Sequence, residues 1–116
     1  QAPHMRELLS QVVARLVRHE LYVARFYLLR DNYDAAVARI QYALRNYGAA
    51  IEGSAAIATG ARELEAEALL LLGTTYLKMQ KLADARQTFQ TILKDFPTSA
   101  FAVPALNYLE YLKRQG

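Results

Sequence analysis

Apolar positions recur along the chain at helical spacing in five blocks. From residue 6 to 29, Leu8, Leu9, Val12, Val13, Leu16, Val17, Leu21, Val23, Ala24 and Tyr27 keep close to a helical period with no Pro or Gly between them, which predicts one long helix. Arg30-Asp31-Asn32 predicts a turn, and a second helix is expected from Tyr33 or Asp34 to near Asn46, with Gly48 as its stop. Residues 48–60 hold three of the five glycines and mostly small residues, so they are expected to connect two units, with a short helical turn around Ser54 to Ala58. A third helix is expected from Ala61 to Met79 and a fourth from Ala83 to Asp95. Phe96-Pro97-Thr98-Ser99 then breaks the chain before a fifth helix, capped by Ser99, with Pro104 near its first turn and Lys113-Arg114 at its C-terminal end.

Residues 81–99 laid over residues 32–50 match at an offset of 49. Ala36 falls on Ala85, Ile40 on Phe89, Ala43 on Ile92, Leu44 on Leu93 and Tyr47 on Phe96; upstream, Ala24 meets Gly73 and Tyr27 meets Tyr76. In each unit a small residue lets two helices approach, and a bulky residue fills the space beside it. Residues 66–97 resemble the tetratricopeptide repeat family, with Leu69, Leu72, Gly73, Tyr76, Ala85, Phe89 and Pro97 at its spacings. The first unit departs from that pattern at Glu20, Ala24 and Gly48, and the offset exceeds the family's repeat by about 15 residues. The expected fold is all-α: antiparallel helix pairs stacked as a short right-handed solenoid of about five helices. Residues 5–48 form the first pair, 49–60 a linker, 61–97 the second pair and 98–116 a C-terminal capping helix. The expected repeat core is Ala24, Tyr27, Ala36, Ile40, Leu72, Gly73, Tyr76, Ala85, Phe89, Ile92 and Pro97. Residues 1–4 read as a tag remnant before Met5, and the native chain is expected to start earlier.

Charge narrows the function classes. Fourteen Lys and Arg against eleven Asp and Glu give +3, with both signs mixed along the chain. The densest basic stretch, Arg15 to Arg25, alternates with apolar residues at helical spacing, so no nucleic-acid partner is expected. The absence of cysteine excludes disulfides, thiolate metal sites and thiol nucleophiles. No apolar run reaches the roughly 18 to 20 residues that a membrane-spanning helix needs.

Candidate catalytic groups are few. Leaving out His4, His19 is the sole imidazole, and its neighbour Glu20 points to a different helix face, so no paired metal face forms. Glu63, Glu65 and Glu67 are expected to serve the positive end of the third helix. The sequence holds no Gly-rich phosphate loop, GxSxG elbow or catalytic carboxylate pair, so no enzyme, cofactor or metal is expected. Eight tyrosines are many for this length: Tyr27, Tyr76 and Tyr108 fall at core spacings, whereas Tyr22, Tyr33, Tyr42 and Tyr47 are open to a partner.

The stretch from His19 to Tyr27 (HELYVARFY), followed by Tyr33, Ala35-Ala36, Arg39 and Leu44-Arg45-Asn46-Tyr47, resembles the BamD (ComL) lipoprotein family, with Gly48 where that family has a Pro. The resemblance is to the family's C-terminal half. It implies a periplasmic repeat scaffold, lipid-anchored to the outer membrane, that grips the POTRA domains of BamA, the barrel-forming subunit of the β-barrel assembly machinery. Arg39 matches a basic position of the family's pattern and is the first interface candidate, with Arg45, Tyr42 and Arg25 beside it. A generic tetratricopeptide interaction module and a Tol-Pal-associated periplasmic repeat protein are the alternatives. A non-native dimer through Leu9, Val13 and Leu16 is also expected, because upstream repeats would otherwise cover that face.

Overall fold

The computed structural model of the chain describes residues 2–52 and 59–115. Their secondary structure is five helices and the turns between them: α1 (Ala2–Leu28), α2 (Tyr33–Glu52), α3 (Thr59–Lys78), α4 (Leu82–Asp95) and α5 (Ala102–Gln115). The arrangement is a tetratricopeptide-like stack of helix pairs. Each helix packs on the next, and α1 also packs directly on α3.

Two clusters form the core, joined at Tyr76. Val13, Val17, Leu21 and Ala24 of α1 meet Ala36 and Ile40 of α2 and Leu64, Ala68 and Leu72 of α3. Ala85, Phe89 and Ile92 of α4 meet Ala105 and Leu112 of α5, with Leu69, Leu70 and Leu77 of α3 packed against them. Gly73 sits at a close approach of α3 and α4: a Cβ there would lie 2.5 Å from Cε1 of Phe89, a fully buried ring. Pro97, grouped with the repeat core in the sequence, is exposed in the turn after α4.

The repeat extends to the turns. After α1, Asp31 donates its N–H to the Leu28 carbonyl and Asn32 donates to Tyr27, both at 3.0 Å. After α3, Gln80 donates to Leu77 at 3.0 Å and Lys81 to Tyr76 at 2.9 Å. Asp31 (φ 57°) and Gln80 (φ 62°) are both left-handed, which completes a Schellman-type helix end in each unit without glycine. Asn32 then caps α2, its Oδ1 accepting the Ala35 N–H at 3.3 Å.

Several helix ends differ from expectation. α1 takes in residues 2–4, and α2 runs through Gly48 to Glu52. A glycine inside a helix costs only about 1 kcal/mol, so Gly48 alone does not end one. The helical turn expected at Ser54 to Ala58 lies outside the described residues. α3 starts at Thr59, so Glu63 and Glu67 lie beyond its first turn and make tertiary contacts instead. Ser99 does not cap α5 directly: its Oγ donates to the Phe96 carbonyl at 2.9 Å and accepts the Phe101 N–H at 3.3 Å, shaping the turn before Ala102. On the outer side of α1, Leu9 and Leu16 are exposed with Leu8 and Val12, but Val13 is in the core and unavailable to a dimer.

Two substitutions test this account. Gly73→Ala is expected to destabilise the fold by about 1–3 kcal/mol, because the buried Phe89 ring has no room to yield; a urea midpoint at or above that of wild type would contradict the close approach. Gln80→Gly relieves a left-handed side-chain position and is expected to stabilise by about 1 kcal/mol in the same assay.

Candidate functional site

Three of the four interface candidates converge on α2. Arg39, Tyr42 and Arg45 recur every three residues, which keeps them on one helix face, beside the buried stripe of Ala36, Ile40 and Ala43. With Tyr27 of α1 and the small residues Ala35 and Ala38, they line a cleft of ≈ 540 Å³. The two alanines add little bulk to this lining beside the guanidinium groups and the tyrosine rings. Among the described residues no carboxylate lines it.

Arg39 does not hang free in this cleft. Its Nη1 donates to Oε1 of Glu20 on α1 at 3.1 Å; the Glu20 side chain is 8% exposed and that of Arg39 is 43% exposed. Glu20 is the residue that breaks the apolar pattern of the first unit. At the 49-residue offset, its counterpart is Leu69 and the counterpart of Arg39 is Thr88. The first unit therefore places an inter-helix ion pair where the second has an apolar residue and a hydroxyl. The pair leaves the other guanidinium N–H groups of Arg39 for the cleft, so the arginine is held in place while it still offers donors.

Aromatic groups frame the rest. Tyr42 and Tyr47 meet edge to face with centroids 6.3 Å apart, and Asn46 donates to the Tyr42 carbonyl at 2.8 Å. Desolvation raises the Tyr47 phenol above its usual value, with Tyr42 and Glu20 adding to the shift. Arg45 is exposed at the end of the row. This combination of fixed cation, exposed cation and half-exposed tyrosine suits recognition of a carboxylate-bearing protein surface.

Arg25, the fourth candidate, lies elsewhere. Its Nη2 contacts Oε2 of Glu67 on α3 at 2.8 Å, tying α1 to α3 away from the cleft. Glu63 accepts the Ala100 N–H at 3.1 Å, so these two glutamates link helices and turns. His19 is exposed on α1, and among the described residues no group of His, Asp and Glu side chains is placed to hold a metal ion. A larger groove of ≈ 720 Å³ lies between the end of α3, the start of α4 and α5, with Leu77, Leu82, Tyr108 and Tyr111 in its walls. Lys78 is its one charged lining residue, and none of the interface candidates reaches it.

The sequence reading missed the structural role of Glu20. The signal was available in the offset comparison, where Glu20 stands against Leu69, but its partner lies 19 residues on and emerges only from the register of α1 on α2.

Comparison with known proteins gives two family matches. A family model described as outer membrane lipoprotein matches residues 2–66, which is more than half of the chain. One described as tetratricopeptide repeat matches residues 67–99, the remainder of α3 with α4 and the turn after it. No curated protein and no solved structure matches the chain significantly.

The Glu20–Arg39 pair has a measurable consequence for stability. Arg39→Ala leaves a buried carboxylate without its partner and is expected to cost about 1–3 kcal/mol, whereas the double change Glu20→Met/Arg39→Met should return to within about 1 kcal/mol of wild type. Equal destabilisation by both variants in chemical denaturation would mean that the pair is not what holds this position.

Proposed function

The chain belongs to the BamD family of outer membrane lipoproteins, and from that membership we propose that its α2 cleft docks the periplasmic POTRA domains of BamA. Both matched families are non-catalytic interaction families, and the outer membrane lipoprotein match associates the chain with the outer membrane. The finer reading puts the chain on the periplasmic side, anchored there by lipid in the full-length protein, with the helix pair of α1 and α2 as the contact surface. The observation that carries this reading is the convergence of Arg39, Tyr42 and Arg45 on one cleft that has no carboxylate among its described lining residues. Two cations there attract an acidic partner and set its orientation, while the tyrosine supplies apolar contact area. Arg25, engaged by Glu67, is a secondary contributor in this scheme.

Calorimetric titration against purified POTRA domains from the same organism tests the proposal. Arg39→Glu is a poor control, because it would set a second carboxylate against buried Glu20 and disturb the fold. Arg45→Glu changes an exposed residue, and Glu20→Met/Arg39→Met removes the cleft guanidinium without leaving a lone buried charge. Wild type is expected to bind saturably at micromolar or tighter affinity, with each variant weaker by about tenfold or more. Absence of binding between two folded proteins would overturn the assignment of BamA as partner.

A further inference from the structure

The basic stretch of α1 is not used by the α2 cleft. Gln11, Arg15, Arg18, Tyr22 and Arg25 follow one another at steps of four, three, four and three residues, which places them in a single row along the helix. All five are exposed, and Tyr22, in the middle of the arginines, is 70% exposed. The row from Arg15 to Arg25 is about 15 Å long. Tyr22 lies two residues from Glu20, about 200° around the helix, so this row faces away from the Glu20–Arg39 pair.

Among the described side chains its charge is one-sided. Among the α1 residues with described side chains, Glu20 is the one carboxylate, and it is buried against Arg39. The two ion pairs among the described residues are Arg39–Glu20 and Arg25–Glu67, so neither Arg15 nor Arg18 has one. Arg15 and Arg18 stand one turn apart and repel each other, so the row does not serve the stability of its own helix. At its far end Arg25 holds the Glu67 carboxylate at 2.8 Å, a bond made within the molecule to the ligand chemistry that the rest of the row lacks. The apolar residues that a bilayer would take up, Leu8, Val12 and Leu16, lie to one side of the row instead of within it.

We propose that the Arg15–Arg18–Tyr22 face of α1, bounded by Arg25, is a second docking surface, for an acidic helical segment of a protein partner whose carboxylates repeat about once per turn. Carboxylates at that spacing meet Arg15 and Arg18 in register, and an apolar side chain between them packs on the Tyr22 ring. This surface is separate from the α2 cleft and does not depend on the identity of the partner there. With both faces in use, the chain joins two protein surfaces on opposite sides of α1.

The probe is a synthetic helix-forming peptide with Glu at one-turn spacing around Leu, beside the same peptide with Gln for Glu, each titrated by fluorescence anisotropy at low and physiological salt. The Glu peptide is expected to bind the wild-type chain and to lose about tenfold or more in affinity to Arg15→Glu/Arg18→Glu. A charge-matched variant on α5, Lys113→Glu/Arg114→Glu, should change it by less than about twofold. Amide NMR of the wild-type chain gives a readout free of any folding defect in the variants, with shifts expected along residues 11–25. Equal loss in the two double variants, equal binding of the Gln peptide, or shifts concentrated on α2 would overturn the proposal. So would binding to vesicles of anionic phosphatidylglycerol without binding to the peptide, which would reassign the face to a lipid surface.

Discussion

The closeness of paired helices governs this fold. α4 reaches α3 only because Gly73 has no side chain to hold Phe89 away, and the first unit has its own small residue, Ala24, at the same offset from Ile40. Both partners of each pair are buried, and the two sites belong to the two halves of the core. A small residue facing a bulky one fixes the rotation of each helix about its axis as well as the separation. Once that rotation is set, the faces left outward are set too, and they carry the arginines and tyrosines considered as contact residues.

The ion pair at Glu20 is superimposed on this packing. In the second unit Leu69 fills the corresponding place apolarly, so the repeat does not need a charge there to fold. A pair with one buried partner gives little net stability, since desolvation offsets most of the attraction. What it does supply is geometry: Arg39 is tied to a helix other than its own, so its position in the cleft depends on the packing of α1 against α2. A pre-positioned guanidinium loses less freedom on meeting a partner than a free one does. The departure from the repeat pattern at Glu20 thus belongs with the proposed site more than with the core.

Much of the helix pairing was legible because small and bulky residues recur at helical spacing, and the offset of 49 aligns Gly73 with Ala24 in the sequence itself. Convergence of Arg39, Tyr42 and Arg45 was legible for the same reason, as it needs only the period of one helix. Helix ends were less so. The turns at Asp31 and Gln80 adopt the left-handed form without glycine, and the glycine that does occur, Gly48, lies within α2, so glycine content pointed to the wrong place. Tertiary partners of charged residues were not legible at all. Arg25 and Glu67 lie 42 positions apart, and only the packing of α1 on α3 brings them together, so sequence alone carries no sign that Arg25, an interface candidate, lies away from the other three.

The balance of charge over the surface follows from where the carboxylates are used. The chain carries only three more positive than negative groups, which by itself describes a mildly basic protein. Yet Glu20 is buried beneath Arg39, Glu67 is bonded to Arg25 and Glu63 is turned onto the backbone of Ala100. These three acids serve contacts between helices and turns, whereas Arg15, Arg18 and Arg45 are exposed and make no ion pair among the described residues. Each ion pair takes up an arginine together with its glutamate, so pairing leaves the net charge unchanged, and the cations that α1 and α2 turn outward without an ion pair among the described residues are Arg15, Arg18 and Arg45. An acidic partner approaching that side meets an unscreened field within roughly a Debye length, about 8 Å at physiological salt. Folding and recognition are coupled in this way: the contacts that register the helices fix Arg25 and Arg39 in place, while Arg15, Arg18 and Arg45 stay exposed for a partner.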